Sequence, residues 1–234
     1  MSETPMPDSA RPQRITVIGL GRFGTSLAHN LHTLGYEVTA IDIHEKQVAD
    51  VADFVSLAAQ GDGTDEELLR SLHIDQSDVA VVAQGESLEA SVLTTLILKR
   101  LGVDWVVAKA RTELHGELLR RIGADQVVYP EREAGVRLAH SIAVRYIKDY
   151  ISLTSASGVA KVTAPEHFIG RSIADLKIND FGGLNLLLIK RSNRVHVVPH
   201  HEERIQVDDE LLVVGQDYEI NGFFDPARLP DNAG

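Results

Sequence analysis

Across residues 15–129, short runs of β-branched and other apolar residues alternate with helix-length segments. This rhythm leaves few options beyond a mostly parallel sheet covered by helices. Parallel strands buried on both faces read as continuous apolar runs, and they need a crossover segment between them. The runs fall at 15–18, 37–41, 54–58, 79–83, 105–109 and 126–129, and the helical segments at 24–34, 46–52, 65–72, 86–101 and 114–122. Six strands and five helices predict one doubly wound α/β domain of the Rossmann-like kind over residues 14–133.

Gly19-Leu20-Gly21-Arg22-Phe23-Gly24 follows the first run directly and opens the first helix. In this context the first glycine allows a tight turn, the second lets the backbone approach a diphosphate, and the third lets the helix pack on the sheet. Phosphate oxygens would then meet unpaired amides at the positive end of the helix dipole. Asp42 ends the second run 18 positions after Gly24, where a carboxylate accepts hydrogen bonds from ribose hydroxyls and disfavours a 2′-phosphate. His44 lies beside the adenosine or in an ordinary loop. Asp62, in Gly61-Asp62-Gly63-Thr64, either meets the adenine amino group or shapes a turn; Thr64 and Glu67 have capping-box spacing for the next helix. Arg22 adds a fixed cation suited to a triphosphate, and Lys109 and Arg111 follow the fifth strand at the same sheet edge or face solvent. Glu131, after Tyr129-Pro130, is a carboxylate that can hold a hard cation beside phosphate oxygens. His200-His201-Glu202-Glu203 reads as a solvated loop, not a metal cluster.

Composition narrows the function classes. The 23 Lys and Arg against 34 Asp and Glu give a net charge of −11, which argues against broad nucleic-acid binding. With no cysteine there is no disulfide scaffold, thiolate zinc site or thiol nucleophile. No apolar run approaches the roughly 18–20 residues of a membrane span. Residues 1–13 and 226–234 are expected to be disordered tails, without a secretion signal.

After Pro130 the period changes. Ala134, Leu138, Ala139, Ile142, Ala143 and Tyr146 recur at helical spacing and predict a crossover helix over 134–151, packed on its own domain, the second domain or another subunit. A Ser/Thr/Gly stretch at 152–158 marks a boundary. Beyond it, strands at 159–162, 184–189, 195–198 and 210–214 and a short helix at 172–176 predict a small α+β module over 157–225.

Residues 15–24, Asp42-Ile43, Gly61-Asp62-Gly63-Thr64, Ile122-Gly123-Ala124-Asp125 and Tyr129-Pro130-Glu131, in that order, resemble the cytosolic gating subunits of Trk/Ktr potassium-uptake systems, the TrkA/KtrA type. The stretch from Val207 to Gly215 resembles the closing hairpin of their C-terminal module, so the likeness covers residues 14–222. It implies an N-terminal RCK (KTN) domain, a crossover helix and a C-terminal RCK domain. It implies a non-enzymatic homo-oligomer, dimers forming an octameric ring, docked on a membrane-embedded TrkH/KtrB-type subunit at the cytosolic face. ATP and ADP, or NAD and NADH, would occupy the crevice formed by Gly19, Gly21, Arg22, Phe23, Gly24, Asp42, His44, Asp62, Gly63, Thr64, Lys109 and Arg111. Arg22 would engage phosphates, its own or a neighbouring protomer's; Asp42 would hold ribose; and Glu131 would help hold Mg2+, Ca2+ or Na+ at a dimer interface. Some relatives bind cyclic di-AMP between C-terminal modules. Here Asn185 suits the polar position, Ile178 could wall an apolar pocket, and Asn179 stands where an arginine is expected. The rival readings are an NAD-dependent oxidoreductase, weakened by the small second module, and a transcription regulator, weakened by charge and the lack of a helix-turn-helix.

Overall fold

The computed structural model describes residues 14–85 and 87–224. The expected tails at 1–13 and 226–234, and the first residue of the helix expected at 86–101, lie outside the described residues. The chain divides into two units at Glu131 and Arg132.

The first unit is the expected parallel sheet. Its strands are β1 (Arg14–Ile18), β2 (Glu37–Asp42), β3 (Leu57–Gln60), β4 (Val79–Val82), β5 (Trp105–Lys109) and β6 (Gln126–Val128), arranged β3-β2-β1-β4-β5-β6. β1 sits centrally, pairing Ile15 with Val38 on one side and Val79 on the other. Its apolar side chains are buried on both faces, and its single inward hydroxyl, Thr16, is satisfied by Ser77 Oγ at 2.7 Å. The helices are α1 (Arg22–Thr33), α2 (Glu45–Val51), α3 (Glu66–Ser71), α4 (Leu88–Leu101) and α5 (Glu113–Arg121). α4 starts on a Ser87 cap and stops at Gly102, whose φ of +87° suits a residue without Cβ.

Two local expectations shift. The third strand is Leu57–Gln60, not 54–58, because residues 52–54 close a short 3₁₀ turn that sets Phe54 edge-on to His29 at 4.8 Å. The cap of α3 is Asp65, whose carboxylate accepts from Glu67 N and Leu68 N at 3.0 and 3.1 Å; Thr64 instead donates to Asp62. Both Thr64 and Asp65 are good caps by type, and the one whose side chain reaches the amides prevails.

The second unit contains most of α6 (Pro130–Ala143), then β7 (Ile147–Thr154), β8 (Ser157–Thr163), α7 (Ile173–Leu176), β9 (Asn185–Arg191), β10 (Arg194–Val197), β11 (Glu210–Gln216) and α8 (Asp217–Phe224). Its sheet runs β10-β9-β11-β8-β7 with antiparallel pairing throughout. Phe168, Ile178, Leu184, Ile189, Leu211 and Phe224 form its core. The helix expected over 134–151 ends at Ala143, and 147–154 is a strand. Val144, Ile147 and Tyr150 are buried at three-residue spacing, which mimics a helix, but a bulge between Ile147 and Asp149 lets the strand produce the same pattern. The 152–158 stretch, expected to mark a boundary, is a tight hairpin within the second unit, pairing Thr154 with Ser157. Gly158 is required there: a Cβ would lie 2.2 Å from the Tyr150 hydroxyl oxygen, which donates to Asp217. No described helix is long and apolar enough to cross a membrane.

Candidate nucleotide-binding cleft

In an open α/β sheet the crevice lies at the carboxyl ends of the strands, where the order reverses. Here that point falls between β1 and β4, and a cleft of about 630 Å³ occupies it. Gly19, Gly21, Arg22, Phe23, Asp42, His44, Lys109, Arg111 and Glu131 line it, as the sequence predicts. Gly24, Asp62, Gly63 and Thr64 do not.

The three motif glycines have three different reasons. Gly19 has φ +98°, and a Cβ would lie 2.7 Å from Gln84 N. At Gly24 a Cβ would lie 1.9 Å from the Gly19 carbonyl oxygen, so this glycine serves helix–strand packing. Gly21 differs: its backbone is extended (φ −67°, ψ −176°) and a Cβ would meet nothing within 4 Å. Neither strain nor internal packing requires glycine at 21, and the space a Cβ would fill is open. Gly21 is also the N-cap of α1, with no side-chain cap, so the first-turn amides are open to an anion.

Asp42 holds this loop as well as lining the cleft. Its Oδ2 accepts from Leu20 N at 2.6 Å, and its Oδ1 accepts from His44 N at 2.8 Å and meets His44 Nδ1 at 2.9 Å. A carboxylate offers about four acceptor positions, so about one remains for a ligand hydroxyl.

Across the cleft, Lys109 is largely buried, with Nζ 5.7 Å from the centre of the Phe23 ring and 2.5 Å from Glu131 Oε1. Gly85 makes room for it, since a Cβ would come within 3.3 Å of Nζ. The hydrogen bond from Lys109 holds the Glu131 carboxyl below the usual carboxylate range, and the Lys109 and Arg22 charges add to this. Glu131 is therefore an ion-pair partner, and among the described residues no group of three or more candidate ligands could hold a metal. Arg22 makes no side-chain hydrogen bond or ion pair with the described residues, which leaves its guanidinium available at the cleft wall.

The other candidates have structural roles. Asp62 Oδ1 accepts from Thr64 N and Oγ1, both at 2.8 Å, closing a turn. Gly63 makes way for Ile18 and Gln84, 2.5 and 2.9 Å from a built Cβ. In the second unit Asn179 accepts from Leu186 N at 2.8 Å, Asn185 donates to Gly183 O at 3.1 Å, and Ile178 is buried in the core. His200 and His201 pack against each other at 4.0 Å, and Glu203 binds Arg191.

Sequence reasoning missed the β4–α4 connection, where Gln84, Gly85 and Ser87 join the lining, with Ala90 in the first turn of α4. The signal was a glycine and a capping serine directly after a central strand. It also missed His115, which is buried behind Arg111; its Nδ1 accepts from Arg111 N at 3.4 Å and its Nε2 lies 3.0 Å from Ser91 Oγ. Burial, with the Arg111 charge, pushes the His115 imidazole below the usual histidine range.

Family models described as TrkA-N domain and TrkA-C domain match residues 15–130 and 159–226. The chain is 40% identical over 211 residues to the Ktr system potassium uptake protein C of Bacillus subtilis, covering 90% of this chain and 96% of that one. The chain belongs to the TrkA/KtrA family of potassium uptake proteins. A second relative in that family, the Ktr system potassium uptake protein A of the same organism, is 35% identical, with 90% and 95% covered. At the level of fold, the GsuK RCK domain superposes with a TM-score of 0.63 at 19% identity, over 96% of this chain and 50% of that one. The TrkA-N match ends at Pro130, one residue before the division between the two units.

Proposed function

We propose that this protein is the regulatory subunit of a Ktr-type potassium uptake system, which reads an adenine nucleotide in the cleft and transmits the result to a membrane-embedded potassium-translocating subunit at the cytosolic face. The observation that carries the nucleotide reading is Gly21, a glycine that neither strain nor packing explains, at the uncapped start of α1 and facing the cations Arg22, Lys109 and Arg111. The family relationship supplies the transport context.

In this reading the α1 amides and Arg22 bind phosphates and Asp42 takes a ribose hydroxyl. Lys109, oriented by Glu131 and Phe23, closes the phosphate site from the opposite side. A triphosphate adds negative charge that these cations neutralise, so ATP and ADP bind arrangements of the site with different affinities. That difference is what can shift a conformational equilibrium. A hard cation bridging Glu131 to a phosphate would compete with Lys109 for the carboxylate. A regulatory role is favoured over catalysis by the family relationship, and Ser87, a hydroxyl of the cleft lining, is committed to capping α4. The exposed Leu138 and Ile142 on α6 supply an apolar face for self-association into dimers and larger rings.

The test is titration of the purified full chain with ATP, ADP, NAD and NADH, read together with particle mass. The reading expects adenylate binding in the micromolar range and a multimeric particle. Silence towards all four nucleotides would overturn it.

A further inference from the structure

The segment from Lys109 to Thr112, which carries two of the cleft cations, is tied down at successive backbone amides. Ala110 N donates to Val128 O at 2.9 Å, and Arg111 N donates to His115 Nδ1 at 3.4 Å. Thr112 then caps α5, its Oγ1 accepting from His115 N at 3.1 Å. His115 thus returns a bond to the segment that caps its own helix, a reciprocal arrangement like the capping box but reaching one residue further back. At the other edge of the ring Nε2 lies 3.0 Å from Ser91 Oγ, and both side chains are buried, with His115 4% and Ser91 0% exposed. Ser91 follows Ser87 and Ala90, which line the cleft at the start of α4. A backbone amide can only donate, so Nδ1 is the acceptor and carries no proton. The neutral ring then has its proton on Nε2 and donates it to Ser91. With Nε2 protonated the ring cannot take a proton from the serine, which makes the pair a brace and not a nucleophile with its base. Burial disfavours the charged ring and so keeps this tautomer, since imidazolium has no lone pair for Arg111 N.

We propose that His115 is a positioning residue for the nucleotide: anchored on α4 through Ser91, it fixes the backbone of Arg111 and with it the point from which this guanidinium reaches the cleft. His115 has this role only if the cleft takes a nucleotide, as read above. Given that, the charge that Arg111 offers an incoming phosphate depends on a side chain outside the cleft lining. Lys109 is held separately, by Glu131, so its place does not depend on His115.

Calorimetric titration of ATP and ADP into the full chain tests this role through a double-mutant cycle of His115→Leu and Arg111→Ala, with unfolding midpoints recorded beside the Kd values. His115→Leu keeps the space filled and removes the acceptor. Acting through Arg111, it should weaken ATP about fivefold in the natural background, the size of one exposed charge contact, and less than about twofold when Arg111→Ala is already present. His115→Asn, whose amide oxygen can stand where Nδ1 does, should recover most of the loss. Should His115→Leu fail to fold, Ser91→Ala, which releases the ring from α4, takes its place in the cycle. Normal binding by the variant used, equal losses in both Arg111 backgrounds, or a loss that persists in His115→Asn overturns the proposal while leaving nucleotide binding intact. Failure of the natural chain to bind ATP and ADP alike removes the nucleotide reading itself, and this role with it.

Discussion

At the residue scale, the second and third glycines of the motif separate open space from close packing. Gly24→Ala places a Cβ against the Gly19 carbonyl and should cost about 1–3 kcal/mol in chemical denaturation, the range for overpacking. Gly21→Ala meets no protein atom, so its stability should stay within about 0.5 kcal/mol of the natural chain while nucleotide affinity falls. Calorimetric titration beside an unfolding curve checks both, and an alanine at 21 that binds normally would sink the phosphate assignment. Arg22→Ala should weaken ATP more than ADP, because a free guanidinium contributes most where the ligand carries most charge. Equal losses would remove Arg22 from the terminal phosphate. His115 sets a pH dependence of known sign. Its imidazole is held below its unfolded-state value, so the unfolded chain binds the extra proton, and stability falls as pH drops below about 6.5. His115→Gln should flatten the stability profile between about pH 6.5 and pH 5.

At the scale of elements, strands and helices were legible where one period ruled alone. β1, β2, β4 and β5 are apolar on both faces, and α4 and α5 carry their own capping residues, Ser87 and Thr112. The errors fall where local signals were shared. Residues 144–150 satisfy a helical spacing by coincidence, and pairing of β7 with β8 decides the outcome. α8 was missed because Asp217–Phe224 is short and its burial depends on a core formed by distant strands. The β9–β11 pair shows how a polar residue can hold such a module. Arg191 grips Asp209 with Nε and Nη2, both at 2.8 Å, and Asp209 is fully buried. Arg191→Ala leaves that carboxylate uncompensated and should cost about 3–5 kcal/mol, read as a lower urea midpoint.

For the whole molecule, the division at Glu131 places the last residue of the cleft at the end of the first unit, in the first turn of the exposed helix α6. In the proposed reading, a nucleotide that altered the Lys109–Glu131 pair would act on the residue at which the first unit ends. α6 has no buried residue in the single chain, with Ile142 74% exposed. Ile142→Glu should lower particle mass in light scattering without lowering the unfolding midpoint of the protomer. An unchanged mass would exclude this face from assembly.

The sequence alone determined the parallel sheet, the glycine loop at its centre and Asp42 after the second strand, because each is written in short-range period or in contiguous motif residues. Only tertiary structure could decide that Asp62, Gly63 and Thr64 serve a turn, that Glu131 pairs with Lys109, and that Gln84, Gly85 and His115 build the cleft from behind. Those outcomes depend on which side chains meet across strands many residues apart. Local spacing carries no record of such distances, and close packing admits only one partner at each position.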